Sequence, residues 1–320
     1  AYGESWISMV AFLARSLASL AVTFVMVMTL VFVAMEALPG DAAMLRSGID
    51  ASAAATDAAR RELGLDAPVI VRYAQWWGDL VRGDLGDSFR ERRPVTTILV
   101  ERLPVTGALA LAAFSLSVVL GLGLGFLAGM TPGSRFDRGV LGYTTIGLAL
   151  PEFWFGFVLL LVFAIAWPVL PLIGLPDGGG AGAWLRHLTL PAITLAIPRA
   201  AQLARLTRAT VLEHRQADWV RTVRAKGGPA SLEFRHVAAN ASPGLFAPIA
   251  LEAGGLLTGT IVVEQVFGLP GVGAMLIGAI GARDVPVVQG ATVLAVLVYV
   301  AMNLLADVAL AAGDPRAREA

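Results

Sequence analysis

Three carboxylates, Glu152, Glu252 and Asp307, stand in or beside long apolar runs. A charge in lipid is costly, so such groups pair with one another, reach water or line a path for ions and solutes. Each lies within a few turns of an expected helix end, where a neighbouring arginine or water can satisfy it. They do not assemble into the mid-membrane relay that a proton-coupled carrier needs. Other chemistry is scarce. His187, His214 and His236 lack the HExxH spacing and the chain has no cysteine, so no metal centre or disulfide is expected. The single lysine, Lys226, precedes Gly227 and not Ser or Thr, which excludes a Walker A loop. No Gly-x-Ser-x-Gly elbow occurs. Gly123, Gly125 and Ala128 match a loose dinucleotide fingerprint, but inside the charge-free run 103–134, where no phosphate could sit. Gly121, Gly125 and Gly129 instead repeat every four residues along one helix face, as helices in close contact require. Gly255 and Gly259 offer a second such face.

The elements that must position these groups follow from composition. Of 320 residues, 57% are hydrophobic and only 15% charged, against about a quarter charged in soluble domains. That excludes disorder. The 24 basic and 24 acidic residues cancel, which argues against a nucleic-acid partner. A span needs roughly 20 apolar residues. Residues 16–35, 103–134 and 285–306 carry no charge; 139–176 and 236–263 carry one each, Glu152 and Glu252; 187–208 carries Arg199, Arg205 and Arg208. The pattern predicts an all-α polytopic membrane protein with about six spans, at about 10–38, 104–131, 139–168, 187–214, 238–264 and 285–311. The first apolar run is too long for a signal peptide and reads as a retained helix.

Arginines give the orientation. They crowd the connection between the fourth and fifth spans, together with Lys226. Arg135 and Arg138 lie between the second and third, and Arg316 and Arg318 near the C-terminus. The opposite connections, 169–186 and 265–284, hold only Arg186 and Arg283. The positive-inside rule therefore puts both termini in the cytoplasm. Segment 39–103, with nine arginines against ten acidic residues, reads as a folded external cap. The expected organisation is 1–38, the N-terminus and first span; 39–103, the cap; and 104–320, a five-span core with a cytoplasmic loop at about 213–240.

Within that loop, Asp218, Trp219, Val220, Arg221, Thr222, Val223, Arg224, Ala225 and Lys226 predict a short amphipathic helix. Gly227 and Gly228 stop it and Pro229 prevents continuation. A second helix follows from about Ala230. Trp219, Val220 and Val223 share an apolar edge, suited to another protein's groove or to a lipid surface.

These residues resemble the cytoplasmic EAA loop of binding-protein-dependent ABC importer permeases. The form Arg-Thr-x-Arg-Ala-Lys-Gly at 221–227 is similar to that of the oligopeptide/dipeptide/nickel group. The resemblance runs along almost the whole chain. It takes in Pro39-Gly40-Asp41, Gly83-Asp84-Leu85-Gly86-x-Ser88, Glu101-Arg102-Leu103-Pro104, Leu190-Pro191-Ala192 and Arg205-Leu206-Thr207-Arg208. It continues through Glu264-x-Val266-Phe267-x-x-Pro270-Gly271-x-Gly273, Arg283-Asp284-x-Pro286 and Asp314-Pro315-Arg316. The long first external segment is similar to that of the B-type subunit. Departures stand at Glu152, where the family often has Ser, at Val223, where it often has Ala, and at Gly228, where it often has an apolar residue.

The resemblance implies a type I ABC importer fold and a permease subunit, not an enzyme, in the plasma (inner) membrane. Implied partners are a second, C-type permease, two ATPase subunits, an external substrate-binding protein and the lipid bilayer. ATP and magnesium belong to the ATPase chains, with no cofactor in this one. Peptides are the expected cargo, with nickel chelates or glutathione-like solutes as alternatives; an ion-coupled secondary carrier is the rival class. Residues 218–227 would engage the ATPases, with Arg221, Arg224 and Lys226 toward carboxylates and Trp219 and Val223 in a groove. Glu264, Phe267, Pro270, Gly271 and Gly273 would form an external gate, and Glu152, Glu252 and Asp307 would line the path.

Overall fold

In lipid, every backbone N–H must find its acceptor within the chain, and long runs of Leu, Val, Ala and Gly do so as helices. The computed structural model describes the backbone of residues 2–37, 43–44, 52–176, 178 and 180–313, and side chains from residue 18 to 305 within those ranges, Leu257 excepted. The helices, in chain order, are α1 Tyr2–Ala37, α2 Ala53–Glu62, α3 Val69–Val81, α4 Val95–Met130, α5 Arg135–Ala149, α6 Glu152–Leu160 with a π-helical extension Leu161–Ala166, and α7 Gly180–Arg215. They continue with α8 Asp218–Ala225, α9 Ala230–Ala241, a 3₁₀ turn Pro243–Leu245, α10 Phe246–Val266, α11 Val272–Ala282 and α12 Val285–Gly313.

Among the described residues, three helices are long and apolar enough to cross a membrane: Ala18–Ala37, Val95–Met130 and Val285–Leu305. Two bent pairs raise the number to five. The first shows that the single helix expected at 139–168 is two. Residues Arg135–Ala149 and Glu152–Ala166 meet at 103°. Pro151 disfavours helical backbone at the residue before it, and Leu150 is extended, φ −90° and ψ 128°. The second pair is Pro243–Leu256 with Thr258–Val266. The remaining expected span, 187–214, is helical within α7 but carries Arg186, Arg199, Arg205, Arg208, Glu213 and Arg215 in or beside it, so its hydropathy falls short. Neighbouring helices shield it, and thirteen residues of α7 are buried.

The chain divides into two compact units. The first comprises 1–13, Gly107–Leu269 and 299–320; the second comprises Ala14–Thr106 and Pro270–Val298. Within the second unit, 270–298 packs with the end of α1 and the start of α4.

In the first unit α7 is the central helix, with α5, α6, α9 and α10 packed on it. The glycine stripe of α4 lies directly against it. A Cβ at Gly121 would stand 2.7 Å from Leu203 Cβ, one at Gly125 would overlap the Ala204 carbonyl oxygen, and one at Gly129 would stand 2.7 Å from Val211 Cβ. Only hydrogen fits there, and the stripe lets the two backbones approach. Asp137 ties α5 and the turn before it to α7: its carboxylate accepts the Gly133 N–H at 2.9 Å and the Arg208 guanidinium, Nη2 at 2.9 Å.

In the second unit, Met35, Val95, Ile98, Leu99, Ala279, Val287, Val288 and Ala291 make one core. The cap helix α3 lies along α1 through an aromatic seam in which Tyr73 and Trp76 meet Phe32 and Trp77 meets Phe24. Tyr73 Oη and Thr29 Oγ1 are 2.7 Å apart, and Arg72 pairs with Glu36 at 2.5 Å. The turn 84–94 closes on Asp284. That buried carboxylate accepts the Ser88 hydroxyl, the Phe89 N–H at 2.9 Å and the Arg90 N–H at 3.2 Å.

Candidate functional site

The segment after α7 folds into the two short helices that the sequence spacing predicts, α8 and α9. Helix α8 ends in a Schellman motif: the Gly228 N–H donates to the Val223 carbonyl at 3.1 Å and the Gly227 N–H to that of Arg224 at 3.0 Å. Gly227 sits at φ +71°, a left-handed conformation that costs other L-residues. Gly228 is closely packed, and a Cβ there would lie 3.0 Å from Val223. The apolar edge faces inward. Val220 is fully buried with Val211, Val237 and Ala241, and Trp219 packs against that cluster and the His236 ring. Phe234 of α9 meets Phe126 of α4 edge-on at 4.6 Å. Trp219 is only partly buried, so one face packs on the small helix's own core while the rest stays open. Val223 is partly buried, while Asp218, Arg221, Thr222, Arg224, Ala225 and Lys226 lie toward solvent.

Glu233, which the sequence reading did not single out, organises the basic residues. It accepts from Arg215 at 3.2 Å and from Arg224 Nε at 2.9 Å. The Arg224 hydrogen bond, reinforced by Arg215, holds its carboxyl below the usual glutamate range. Arg224 is therefore already engaged within the chain. Arg221 pairs with Asp218 at 3.5 Å on the surface, a pairing of little energetic weight. Pro132, Leu212, Arg215, Gln216, Arg221 and Arg224 line a basic cleft of about 400 Å³ beside α8.

Inside the spans, the structure brings Glu152 and Glu252 to one arginine. Arg199 lies 3.3 Å from Glu152 Oε1 and 3.8 Å from Glu252 Oε1, and donates to the Gly255 carbonyl at 2.8 Å. The second glycine face thus admits this guanidinium. Asp307 lies in α12 with its side chain outside the described residues, and residues 38–41 and 314–316 fall outside them entirely.

The expected gate residues fall in both units. In the first, Glu264 and Phe267 are buried and α10 ends in a second Schellman motif, with the Leu269 N–H on the Glu264 carbonyl at 2.9 Å. Gly268 there has φ +60°. The Phe267 carbonyl also accepts the Gly174 N–H at 2.8 Å. In the second unit, the Thr106 hydroxyl caps α11 by accepting the Val272 N–H at 2.8 Å, and Gly273 is buried in that helix. Gly271 is extended, φ −92° and ψ −175°, so the left-handed residue the turn needs is Gly268 and not Gly271.

Residues 121–319 match the family model described as binding-protein-dependent transport system inner membrane component, and 9–110 match its N-terminal companion. The chain belongs to that family. This permease is 38% identical over 312 residues to a Brucella abortus (strain 2308) chain that carries a provisional description as a peptide transport system permease protein. The match covers 97% of this chain and 99% of that one. It is 36% identical to the glutathione transport system permease protein of Pectobacterium atrosepticum, covering 95% and 97%. It is 34% identical to the di/tripeptide transport system permease protein of Pseudomonas aeruginosa, covering 97% and 99%. Its fold matches that of the MetNI methionine ABC transporter in inward-facing conformation, with a TM-score of 0.55 at 20% identity over 68% of this chain and 96% of that one. The permease is accordingly a multi-pass inner-membrane subunit of an ABC transporter, which works with ATPase and other subunits.

Proposed function

We propose that this chain is the B-type permease of an ATP-driven importer of di- and oligopeptides. It would pair with a C-type permease, dock on two ATPase chains and receive cargo from an external binding protein. The single observation that carries the coupling role is the anchoring of α8. Val220 is locked into a core shared with α7 and α9, while Arg221, Thr222 and Lys226 remain on the solvent side. A push on α8 by an ATPase would then move α7 as a rigid body, which suits alternating access. The exposed arginine and lysine suit carboxylates on an ATPase surface. Peptide cargo is favoured by the names of the Brucella and Pseudomonas relatives; the Pectobacterium relative keeps glutathione-like solutes as the alternative, and nickel chelates come with the group the loop resembles. The cap 39–103 and connections 169–186 and 265–284 would meet the binding protein, with both termini cytoplasmic. Bound ATP and magnesium would reside in the ATPase chains, with chemistry there and no cofactor here.

The test is purification from native membranes in mild detergent, with partners identified and ATP hydrolysis recorded. The reading expects a second permease and ATPases. It expects the double variant Arg221→Glu, Lys226→Glu to lose the ATPases while keeping the wild-type melting temperature. Recovery of this chain alone under several gentle conditions would favour a secondary carrier and sink the reading.

A further inference from the structure

Glu152, Arg199 and Glu252 come from three different helices, α6, α7 and α10, of the 107–269 unit. Ionised, they leave one surplus negative charge. Glu252 is only 7% exposed. Among the described residues, its Oε1 accepts no hydrogen bond and the buried Arg199 Nε donates none. An orphaned carboxylate oxygen inside a spanning helix is expensive. Yet the backbone is shaped around the cluster. A Cβ at Gly255 would stand 2.7 Å from Arg199 Nη1, and one at Gly259 would stand 2.8 Å from Nη2 and 2.9 Å from Glu152 Oε2. Larger residues would expel the guanidinium. Glu152, 28% exposed, gives the cluster an open end.

The occupant that would balance this cluster must carry positive charge and donate to Glu252 Oε1, with an acceptor such as a peptide carbonyl beside that charge for Arg199 Nε. A hard divalent cation prefers six or more oxygen ligands, and no group of three acidic or histidine side chains is found among the described residues. An ammonium brings three donors and a single charge. We propose that Glu252 and Glu152 form a recognition site for an ammonium group of the cargo, with Arg199 as the positioning residue that holds both carboxylates together. This rests on the importer reading: every unblocked peptide carries such a group at its amino terminus.

The test uses the assembled complex, without the binding protein, and two probes, trialanine and N-acetyl-trialanine. Thermal melting is followed against peptide concentration, since a ligand of the folded state raises the midpoint. Trialanine is expected to raise it and the acetylated peptide not. Glu252→Gln is expected to weaken the apparent trialanine affinity about tenfold, the scale of one charge-assisted contact. Glu152→Gln, at the open end, is expected to weaken it severalfold and carries the test if the buried variant fails to assemble. Equal responses to both peptides, or wild-type affinity in the variants, would overturn the site. So would no response to either peptide, which would leave a proton as the occupant. Failure of the importer reading is distinct, because it appears as missing ATPase chains before any peptide is added.

Discussion

The Ser88 hydroxyl donates to the Asp284 carboxylate across 196 positions of sequence. Two short motifs, Gly83-Asp84-Leu85-Gly86-x-Ser88 and Arg283-Asp284-x-Pro286, are halves of one structure. Asp284 terminates the turn 84–94 by taking up donors that the turn itself cannot satisfy.

Removal of that acceptor strands one buried hydroxyl and two part-buried backbone N–H groups. Asp284→Ala is expected to cost about 2–4 kcal/mol, and Ser88→Ala about 1–2 kcal/mol, since it leaves the Glu91 N–H without its hydroxyl acceptor. Thermal melting in detergent checks both. An Asp284→Ala protein that melts at the wild-type temperature would show that the turn does not depend on the carboxylate.

The glycine stripe makes a contrast within one helix. Gly125→Ala drives a methyl toward the Ala204 carbonyl and is expected to destabilise by about 1–3 kcal/mol. A Cβ at Gly123 meets nothing within 4 Å. Gly123→Ala is therefore expected to leave the melting temperature unchanged or raise it, because alanine is the better helix former. A Gly125→Ala protein that melts at the wild-type temperature would contradict the close approach of α4 and α7.

At the end of α10, the conformational demand sits on Gly268. Gly268→Val is expected to cost about 1–2 kcal/mol from the left-handed backbone alone. Gly268→Asn should recover part of it, since asparagine tolerates that region. The space around the site is ordinary, with Ile173 Cβ 3.6 Å from where an added Cβ would stand, so crowding does not confound the comparison. Melting temperatures of the two variants, together with uptake by the assembled complex, give the readout.

The Glu233 pairings carry a pH dependence of fixed sign. The folded carboxyl titrates below its unfolded value because Arg224 and Arg215 bind its charged form. Its stabilisation is fully present above the unfolded value, about 4.3, and is lost as pH falls through the depressed folded value. Glu233→Gln is expected to melt below wild type near pH 7, with the gap closing as pH drops below about 4. A gap that widened in acid would reverse the assignment.

The sequence alone determined the class of molecule and much of its local architecture. Charge-free runs of about 20 residues admit little but spanning helices, and Gly227 marks a helix end by its backbone chemistry, whereas the break before Pro151 inside an apolar run appeared only in the structure. The spacing of Gly121, Gly125 and Gly129 marks a contact face, though not what it touches. Tertiary structure decided which partners meet. Trp219 and Val220 read as one apolar edge; only packing reveals that Val211, Val237 and Ala241 bury Val220 and that Trp219 lies partly buried against them. Glu152, Arg199 and Glu252 are scattered far apart along the chain, and Glu233 lies outside the helix whose arginines it organises. Period and composition act over a few turns, so they fix helices and their faces. Charge pairing acts through space, and it becomes visible only when the helices are laid side by side.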